Sequence, residues 1–179
     1  MRADSPAEPR ALLLNGTVGV GKSSVAEAVG GLLAEAAVPH AVIDLDSLRR
    51  AWPAPPGDRF HFGLMLRNLS AVAGNCLAAG AVRLLLAGVV ETREQRQRCA
   101  DAVGVELSVC RLRAGLPVIR ERLTRRHAQE PEALRWHLER AGELAGILDR
   151  AGVDDFTVDA GTDPVTDVAA AVLQAAGRH

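Results

Sequence analysis

The fold is decided by the stretch Gly16-Thr17-Val18-Gly19-Val20-Gly21-Lys22-Ser23-Ser24. Its first eight residues fit the pattern G-x-x-x-x-G-K-[ST], and they lie between an apolar strand pattern and an amphipathic helix pattern, which is the context that this motif requires. Glycines allow successive backbone N–H groups to point inward at phosphate oxygens, and the positive end of the following helix adds to that field. The stretch therefore predicts that residues 16–24 hold the phosphates of a nucleoside triphosphate.

One side chain in this stretch stands out, because the chain has 21 lysine and arginine residues and only Lys22 is a lysine. A lysine presents a compact charge on a slim stem, whereas a guanidinium is bulkier and directs its donors in a fork. We expect Lys22 to lie between the β- and γ-phosphates and Ser23 to offer its hydroxyl to Mg²⁺. The alternative, a glycine-rich turn that ends by chance in Gly-Lys-Ser, is disfavoured because both motif and context are right.

Length and composition set the outer limits. The 179 residues suffice for one compact domain and would be cramped for two, so we expect a single domain over 1–179 with a flexible segment at 1–9. Apolar residues make up 48% and aromatic residues only 3%, which is typical of a soluble α/β protein. A net charge of −1 gives no reason to expect nucleic acid or an acidic membrane as a partner.

Targeting and redox signals favour a cytoplasmic protein. The N-terminal stretch lacks the apolar centre of a signal peptide, and no apolar run approaches the ~20 residues of a membrane span. Cys76, Cys99 and Cys110 are isolated from one another and show no metal-type spacing. We expect them to be reduced thiols that pack as small apolar side chains.

Strand and helix patterns alternate along the chain. The runs that predict strands are Ala11–Leu14, Ala41–Ile43, Arg83–Val90, Val105–Leu112 and Val153–Val158. Apolar stripes with helical spacing lie between them, so the chain predicts right-handed β-α-β units and an α/β fold with a five-stranded parallel sheet flanked by helices. Ligands of such sheets bind beyond the carboxyl ends of the strands.

A pair of carboxylates follows the second predicted strand. Asp44 and Asp46 lie two residues apart, so in an extended segment their side chains project the same way, beside the γ-phosphate. One carboxylate would accept a proton from an attacking hydroxyl while the other steadies Mg²⁺. The alternative is that Asp46 only caps a short helix over Ser47–Ala51.

With these residues in place, the chain resembles the small-molecule kinases of the P-loop superfamily, above all adenylylsulfate kinase, chloramphenicol phosphotransferase and the gluconate and shikimate kinases. The run Asp44-Leu45-Asp46-Ser47-Leu48-Arg49 is similar to the D-G-D-N-x-R segment of the first family and to the D-S-L of the second. The resemblance implies a three-layer, nucleoside-kinase-like P-loop fold with ATP and Mg²⁺ as cofactors. It also implies that Asp46 is the base, that Ser23 and Asp44 bind the metal, and that Asp44 and Arg49 face the substrate.

The resemblance extends along most of the chain. It implies that Arg67 and Asn68 hold the acceptor and that the turn with Gly161 and Thr162 lies against adenine. It also predicts a lid over about residues 120–131. There Arg122 or Arg126 would act as an arginine finger, and the alternative is a solvated basic helix face. His127 is expected to end that helix.

Several side chains have two interpretations. Trp52 stacks on the acceptor or, as we favour, anchors its proline-rich loop, whereas Trp136 is expected to pack in the core. Glu91, after the third strand, is a further candidate for the Mg²⁺ shell. Arg111 and Arg113 bind an anion or pair with carboxylates.

Taken together, the sequence predicts an ATP-dependent kinase that phosphorylates a hydroxyl of a small molecule, either a metabolite or an antibiotic. Adenylylsulfate kinase itself is one alternative, and a nucleotide-binding regulatory NTPase without an acceptor is another. ATP is expected from the resemblance, since no N-K-x-D base-reading motif is present. The expected partner is the small-molecule acceptor, with a homodimer left open.

Overall fold

The computed structural model describes residues 8–178, and in this part of the chain strands and helices alternate. The strands are β1 (Arg10–Asn15), β2 (His40–Asp44), β3 (Arg83–Ala87), β4 (Glu106–Arg113) and β5 (Phe156–Asp159). The α-helices are α1 (Lys22–Glu35), α2 (Phe62–Ala78), α3 (Arg93–Val103), α4 (Leu116–Arg126), α5 (Pro131–Ala151) and α6 (Val165–Ala176), with a 3₁₀ turn at Ser47–Arg49. The predicted flexible segment 1–9 lies outside the described residues except for its last two positions.

The five strands form one sheet in the order β2-β3-β1-β4-β5, and every neighbouring pair is parallel. This confirms the predicted five-stranded parallel sheet flanked by helices. β3 ends at Ala87 rather than at the predicted Val90, because the chain leaves the sheet at Gly88. A Cβ atom at Gly88 would lie only 2.7 Å from the side chain of Leu45. The carboxyl ends of all five strands meet at one edge, where the phosphate-binding stretch lies.

Alternation along β1 divides the core between the two faces of the sheet. Leu12 and Leu14 lie in a cluster with buried residues of α1 and α6, whereas Ala11 and Leu13 lie in a second cluster with buried residues of α2 and α3. Successive side chains of a strand point to opposite faces, so both faces of an apolar central strand must be covered. The result is a three-layer α/β fold, as predicted.

Helices α4 and α5 contribute a third, smaller cluster, which contains Ile119, Leu123 and Ala141. Val18 of the phosphate-binding stretch packs against it. The predicted lid segment 120–131 therefore corresponds to the second half of α4 and the turn into α5. His127 is the residue that ends α4.

Gly19 is where α4 approaches the phosphate-binding stretch most closely. Its φ is +82°, and a Cβ atom there would lie 2.9 Å from Cγ of Leu123 and 3.2 Å from Cγ2 of Ile119. We expect Gly19→Ala to lower the free energy of unfolding by about 1–3 kcal/mol more than Gly21→Ala does. Gly21 is a matched control, because its φ is also positive, +101°, but nothing lies within 4 Å of the added Cβ atom. Urea unfolding checks this prediction, and equal losses would mean that only backbone strain matters.

None of the described helices is both long enough and apolar enough to span a bilayer. All three cysteines are free, with Cys99 and Cys110 buried and Cys76 half-buried. Burial raises the pKa of the Cys99 thiol to about 11 and the pKa of the Cys110 thiol to about 12. Both remain protonated near neutral pH and pack as apolar groups.

Candidate active site

The phosphate-binding loop connects β1 to α1 and is held at its base by the buried side chain of Asn15. The Asn15 amide donates to the carbonyl of Val90 at 3.0 Å and to Oδ1 of Asp154 at 3.2 Å. Its Oδ1 accepts from the backbone N–H groups of Gly16 at 2.9 Å and Val90 at 3.1 Å. Sequence reasoning missed this residue, although a polar residue that ends an apolar strand directly before a glycine loop was a visible signal.

Gly16 is required at the start of the loop. Its φ is +145°, and a Cβ atom there would lie 2.7 Å from the carbonyl oxygen of Leu112 and 2.9 Å from Cγ1 of Val20. Any larger residue would push the loop away from β4. The glycine therefore fixes the loop against the edge of the sheet.

The amine of Lys22 folds back over this loop. Its Nζ donates to the carbonyl oxygens of Gly16 at 3.0 Å and Thr17 at 2.9 Å. Burial lowers the pKa of Lys22 to about 8, while the nearby carboxylates of Asp46 and Asp44 act in the opposite direction and the charge of Arg126 lowers it further. A bound phosphate would place negative charge beside the Lys22 amine and so raise this pKa.

Nucleotide affinity is consequently expected to fall as the pH rises through about 8. The free protein holds an ammonium below the Lys22 pKa of about 8 and a neutral amine above it. Because phosphate oxygens prefer the ammonium, ATP affinity should drop by up to about tenfold per pH unit above that value. Calorimetry near pH 8 should also detect proton uptake on binding, through a dependence of the heat on the buffer.

The lowered pKa of Lys22 also makes the stability of the free protein depend on pH, but stability rises with pH whereas nucleotide affinity falls. Between about 8 and 10.5 the unfolded chain binds a proton at Lys22 that the folded chain does not, so stability rises with pH in this window. Lys22→Met should remove both trends. An affinity that stays flat from pH 7 to pH 9.5 in the wild type would contradict the lowered pKa.

Asp44 is the carboxylate that contacts the loop. Its Oδ2 accepts from the hydroxyl of Ser23 at 2.9 Å, and its Oδ1 accepts from the backbone N–H groups of Asp46 at 2.8 Å and Ser47 at 3.3 Å. The carboxylate therefore joins the phosphate loop to the 3₁₀ turn after β2. Of the two acidic side chains, Asp44 rather than Asp46 accepts the N–H groups at the start of this turn.

Asp46 does not extend from the strand as predicted. Its φ and ψ are −70° and −28°, because the chain turns directly after Asp44, so the two side chains do not project in parallel. The Asp46 side chain is 70% exposed, lies 3.4 Å from Nε of Arg49 and makes no capping hydrogen bond. This leaves an exposed carboxylate, paired with Arg49, at the cavity surface.

The oxygens of Ser23 and Asp44 fit a magnesium ion. Mg²⁺ prefers hard oxygen ligands and is usually held by one or two carboxylates together with substrate phosphates and water. In residues 8–178 no cluster of three or more histidine, cysteine or acidic side chains could form a complete cage. A hydroxyl and a carboxylate 2.9 Å apart beside a phosphate loop match the shared coordination expected of a nucleotide-bound ion.

A large cavity of about 1290 Å³ opens above the loop. Lys22, Ser23, Asp44 and Asp46 line one end of it. The other end is lined by arginine and aromatic side chains from the 3₁₀ turn, residues 57–63, α3 and α5, namely Arg49, Arg59, Phe60, Phe62, Arg98, Trp136 and Arg140. The lining of the cavity thus combines the residues predicted to bind phosphate with a group of arginine and aromatic side chains.

The two lid arginines have different surroundings. Arg122 donates to the carbonyl of Val20 at 3.0 Å and, through a short contact, to the carbonyl of Gly161, so it ties α4 to the phosphate loop and to the turn after β5. Arg126 lines the cavity and is close enough to Lys22 to lower its pKa. Arg125 pairs with Glu121 on the exposed face of the helix. Of the pair, Arg126 therefore has the free guanidinium that a phosphoryl group needs.

Four residues that the sequence assigned to the acceptor or to adenine do not line this cavity. Arg67 is exposed, and Asn68 donates to the carbonyl of Leu48 at 2.7 Å. Gly161 and Thr162 lie outside the lining as well, and their place beside adenine stays a prediction. Asn68 instead holds the segment that carries Asp46 and Arg49.

The packing predicted for both tryptophans was wrong. Trp52 is 92% exposed and does not line the cavity, so it does not anchor its loop in the core, and its alternative role in stacking on the acceptor stays a prediction. No apolar pocket receives it, because residues 50–57 are all exposed. Trp136 is 43% exposed, lines the cavity and meets His137 edge-on at 4.9 Å. Its position off the apolar stripe of α5, two residues after Leu134, was the signal that placed it outside the core.

Other charged side chains are paired. Glu91 forms an ion pair with Arg140 of α5, which favours a structural over a metal-binding role for this carboxylate. Arg111 and Arg113 lie 2.8 Å and 3.4 Å from a carboxylate oxygen of Asp149, so of the two interpretations pairing with a carboxylate holds. Long-range pairs of this kind join residues far apart in the chain and leave no local pattern.

No protein-family model matches the chain, and no curated protein matches it either. Solved structures do. A gluconokinase from Sinorhizobium meliloti 1021 is 20% identical, with a TM-score of 0.60 over 97% of this chain and 94% of that one. Shikimate kinase from Acinetobacter baumannii, in complex with shikimate, is 17% identical, with a TM-score of 0.64 over 97% and 95%. The APS kinase of Mycobacterium tuberculosis, in complex with AMPPNP and APS, is 20% identical, with a TM-score of 0.58 over 97% and 99%.

These neighbours are kinases that act on small molecules, and the chain shares their fold along nearly its whole length. The predicted resemblance to P-loop small-molecule kinases, and the predicted fold class, are thereby confirmed. Identities of 17–20% establish the fold and leave the substrate to be argued from the site.

Proposed function

We propose that this protein is an ATP-dependent kinase that transfers the γ-phosphoryl group to a hydroxyl of a small molecule. The observation that carries the proposal is the lining of one cavity by Lys22, Ser23, Asp44, Asp46 and Arg126. Phosphate binding alone would require only Lys22 and Ser23. An exposed carboxylate and a free guanidinium beside them are the groups that hydroxyl activation and charge stabilisation need.

Each residue has a defined task in this mechanism. The backbone N–H groups of residues 16–24 and the Lys22 ammonium hold the β- and γ-phosphates in line with the acceptor. Ser23 and Asp44 would hold Mg²⁺, which would neutralise charge on the phosphates. Asp46 accepts the proton of the acceptor hydroxyl. As this happens, the hydroxyl oxygen bonds to the γ-phosphorus, and the bond from the γ-phosphorus to the β–γ bridging oxygen breaks. Arg126 faces the charge that develops on the transferring group.

Arg122 is better described as a positioning residue than as an arginine finger. Both of its terminal guanidinium nitrogens, Nη1 and Nη2, donate to the carbonyls of Val20 and Gly161. It therefore fixes where α4 lies over the phosphate loop, and so where Arg126 lies. The turn at Gly161 and Thr162 remains a proposed edge of the adenine site, because Arg122 connects it to the phosphate loop through the Gly161 carbonyl.

The lid should become more ordered when nucleotide binds. The exposed arginines of α4 repel one another without an anion, and triphosphate would draw Arg126 inward and exclude water. Amide hydrogen exchange with a non-hydrolysable ATP analogue should show increased protection over about residues 120–131 as well as over 16–24. Protection confined to the loop would leave Arg126 as surface charge and remove it from the mechanism.

The proposal is tested by a screen of hydroxylated metabolites and antibiotics with γ-labelled ATP. Label should appear on an acceptor at a rate above release to water, and Lys22→Met should abolish it. Label released only as phosphate, with every acceptor, would instead support the regulatory NTPase. Transfer to adenylylsulfate alone would identify the protein as an adenylylsulfate kinase.

A further inference from the structure

Aromatic side chains are rare in this chain and collect in the cavity. The sequence has two tryptophans, three phenylalanines and no tyrosine, and Phe60, Phe62 and Trp136 all line the cavity. Phe60 is 41% exposed and Trp136 is 43% exposed. These two also line a smaller cavity of about 510 Å³ that adjoins the first. Exposed aromatic faces in a concave site are typical of sites that bind flat apolar groups.

Guanidinium groups lie over these rings. Arg98 lies 5.1 Å from the centroid of Phe62, and Phe60 has Arg59 at 5.1 Å and Arg140 at 5.4 Å. For Arg59 and Arg98 these contacts hold the cation against apolar surface while its donors stay available to a ligand, whereas Arg140 also donates to Glu91 and Glu143. This end of the cavity therefore combines apolar faces with positive charge.

The nearby carboxylates cancel only part of this charge, and Asp46 pairs with Arg49 at 3.4 Å. Asp58 accepts from the backbone N–H groups of Phe62 at 2.7 Å and Gly63 at 3.0 Å, which lower its pKa and engage both of its oxygens at the start of α2. Glu91 is engaged by Arg140. Within residues 8–178, Arg98 has no recorded carboxylate partner, so its charge is open to a ligand.

Arg49 supplies the most specific sign of a ligand. One of its nitrogens, Nη1, donates to the carbonyl of Phe60 at 3.3 Å. Nε lies 3.4 Å from the exposed carboxylate of Asp46 without a hydrogen bond, and Nη2 is buried with no hydrogen-bond partner among the described residues, although the side chain lines the cavity. Buried guanidinium donors without an acceptor are costly, and an anionic oxygen from a ligand would satisfy them.

We propose that the acceptor is a flat, ring-bearing molecule with an anionic group such as a carboxylate, sulfate or phosphate. Its ring lies against Phe60 and Trp136, its anion meets Arg49 and Arg98, and its hydroxyl points to Asp46. This proposal rests on the proposed function, in which the same cavity takes the acceptor. It assigns the acceptor site to residues 49–62, α3 and α5.

Ligand binding can be measured without turnover. In a Trp52→Phe variant, Trp136 is the only tryptophan, and a non-hydrolysable ATP analogue with Mg²⁺ at saturation fills the phosphate loop, including its γ-phosphate position. The probes are phenyl phosphate, inorganic phosphate and benzyl alcohol, which carry ring and anion, anion only and ring only. Phenyl phosphate should quench Trp136 saturably and bind about tenfold or more tightly than either single-feature probe, as expected for a charge-assisted hydrogen bond combined with ring burial.

Two arginine variants test the anion contact. Arg49→Gln and Arg98→Gln should each weaken phenyl phosphate binding by about tenfold and leave benzyl alcohol binding unchanged. Arg135→Gln, an exposed position of α5 outside the cavity lining, is the matched control and should change neither. Since Arg98 is exposed, its variant folds even if the Arg49 variant does not. Equal binding of the three probes, or an unchanged affinity in the folded variants, overturns the proposal.

The two proposals fail in different ways. Selective binding of phenyl phosphate without transfer to any hydroxyl acceptor contradicts the kinase and leaves the ligand class standing. Transfer to acceptors that lack a ring or an anion, together with unselective binding of the three probes, contradicts the ligand class and leaves the kinase standing.

Discussion

Lys22→Arg is expected to reduce phosphoryl transfer by about 10²–10³-fold or more, although it keeps the positive charge. The Lys22 amine reaches back over the loop to within 3.0 Å of the Gly16 carbonyl and 2.9 Å of the Thr17 carbonyl. A planar guanidinium cannot enter this narrow space without displacing the loop. Steady-state transfer of label from ATP measures the effect, with Lys22→Ala expected to lose at least as much.

Controls for this prediction come from the fold and from α4. Both Lys22 variants should still unfold in one cooperative transition, because the Lys22 amine contacts loop carbonyls and not the apolar core. Arg120→Lys exchanges the same two residue types on the exposed face of α4 and should leave transfer unchanged. Near-native activity of Lys22→Arg would show that the site needs a charge rather than the shape of a lysine.

Asp46→Asn is expected to lower turnover by about 100-fold, as loss of a general base does, with little change in ATP affinity. The Asp46 carboxylate is largely exposed at the cavity surface, and its closest charged partner, Nε of Arg49, is 3.4 Å away. An amide keeps the size of the side chain but cannot accept the hydroxyl proton. Rapid-quench measurement of the transfer step separates this loss from product release.

Asp44→Asn is the matched comparison. Because Asp44 accepts from the Ser23 hydroxyl and from two backbone N–H groups, its variant should raise the Mg²⁺ concentration needed for half-maximal activity, and Ser23→Ala should do the same. If the two aspartate variants had small and equal effects on turnover, Asp44 and Asp46 would only order the turn after β2.

The parts of the molecule that the sequence predicted correctly depend on local patterns. Buried parallel strands are short apolar runs, and the loop before α1 is specified by glycines in consecutive positions, so sheet, layers and phosphate loop followed from the chain. The end of β3 was less accurate, because Gly88 meets Leu45 across the sheet edge and no local pattern reports that contact.

The acceptor end of the cavity depends on contacts between distant residues. Trp136 and Arg140 on α5 come to face Phe60 only because α5 lies across the site, and the pairing of Glu91 with Arg140 joins residues 49 positions apart. Arg67 was assigned to the acceptor because its segment resembled a known one, but it is exposed and does not line the cavity. Arg49, assigned in the same way, does line it, whereas Trp136 and Arg140 of α5 were not assigned to the acceptor.

A single-turnover experiment with γ-labelled ATP tests the kinase most directly. The label should partition to a hydroxyl acceptor in preference to water in the wild type, and Asp46→Asn should slow transfer to the acceptor by about 100-fold while hydrolysis by water changes little. Label that passes only to water, at a rate that no acceptor alters and that Asp46→Asn does not change, would contradict a phosphoryl-transfer role for this cavity.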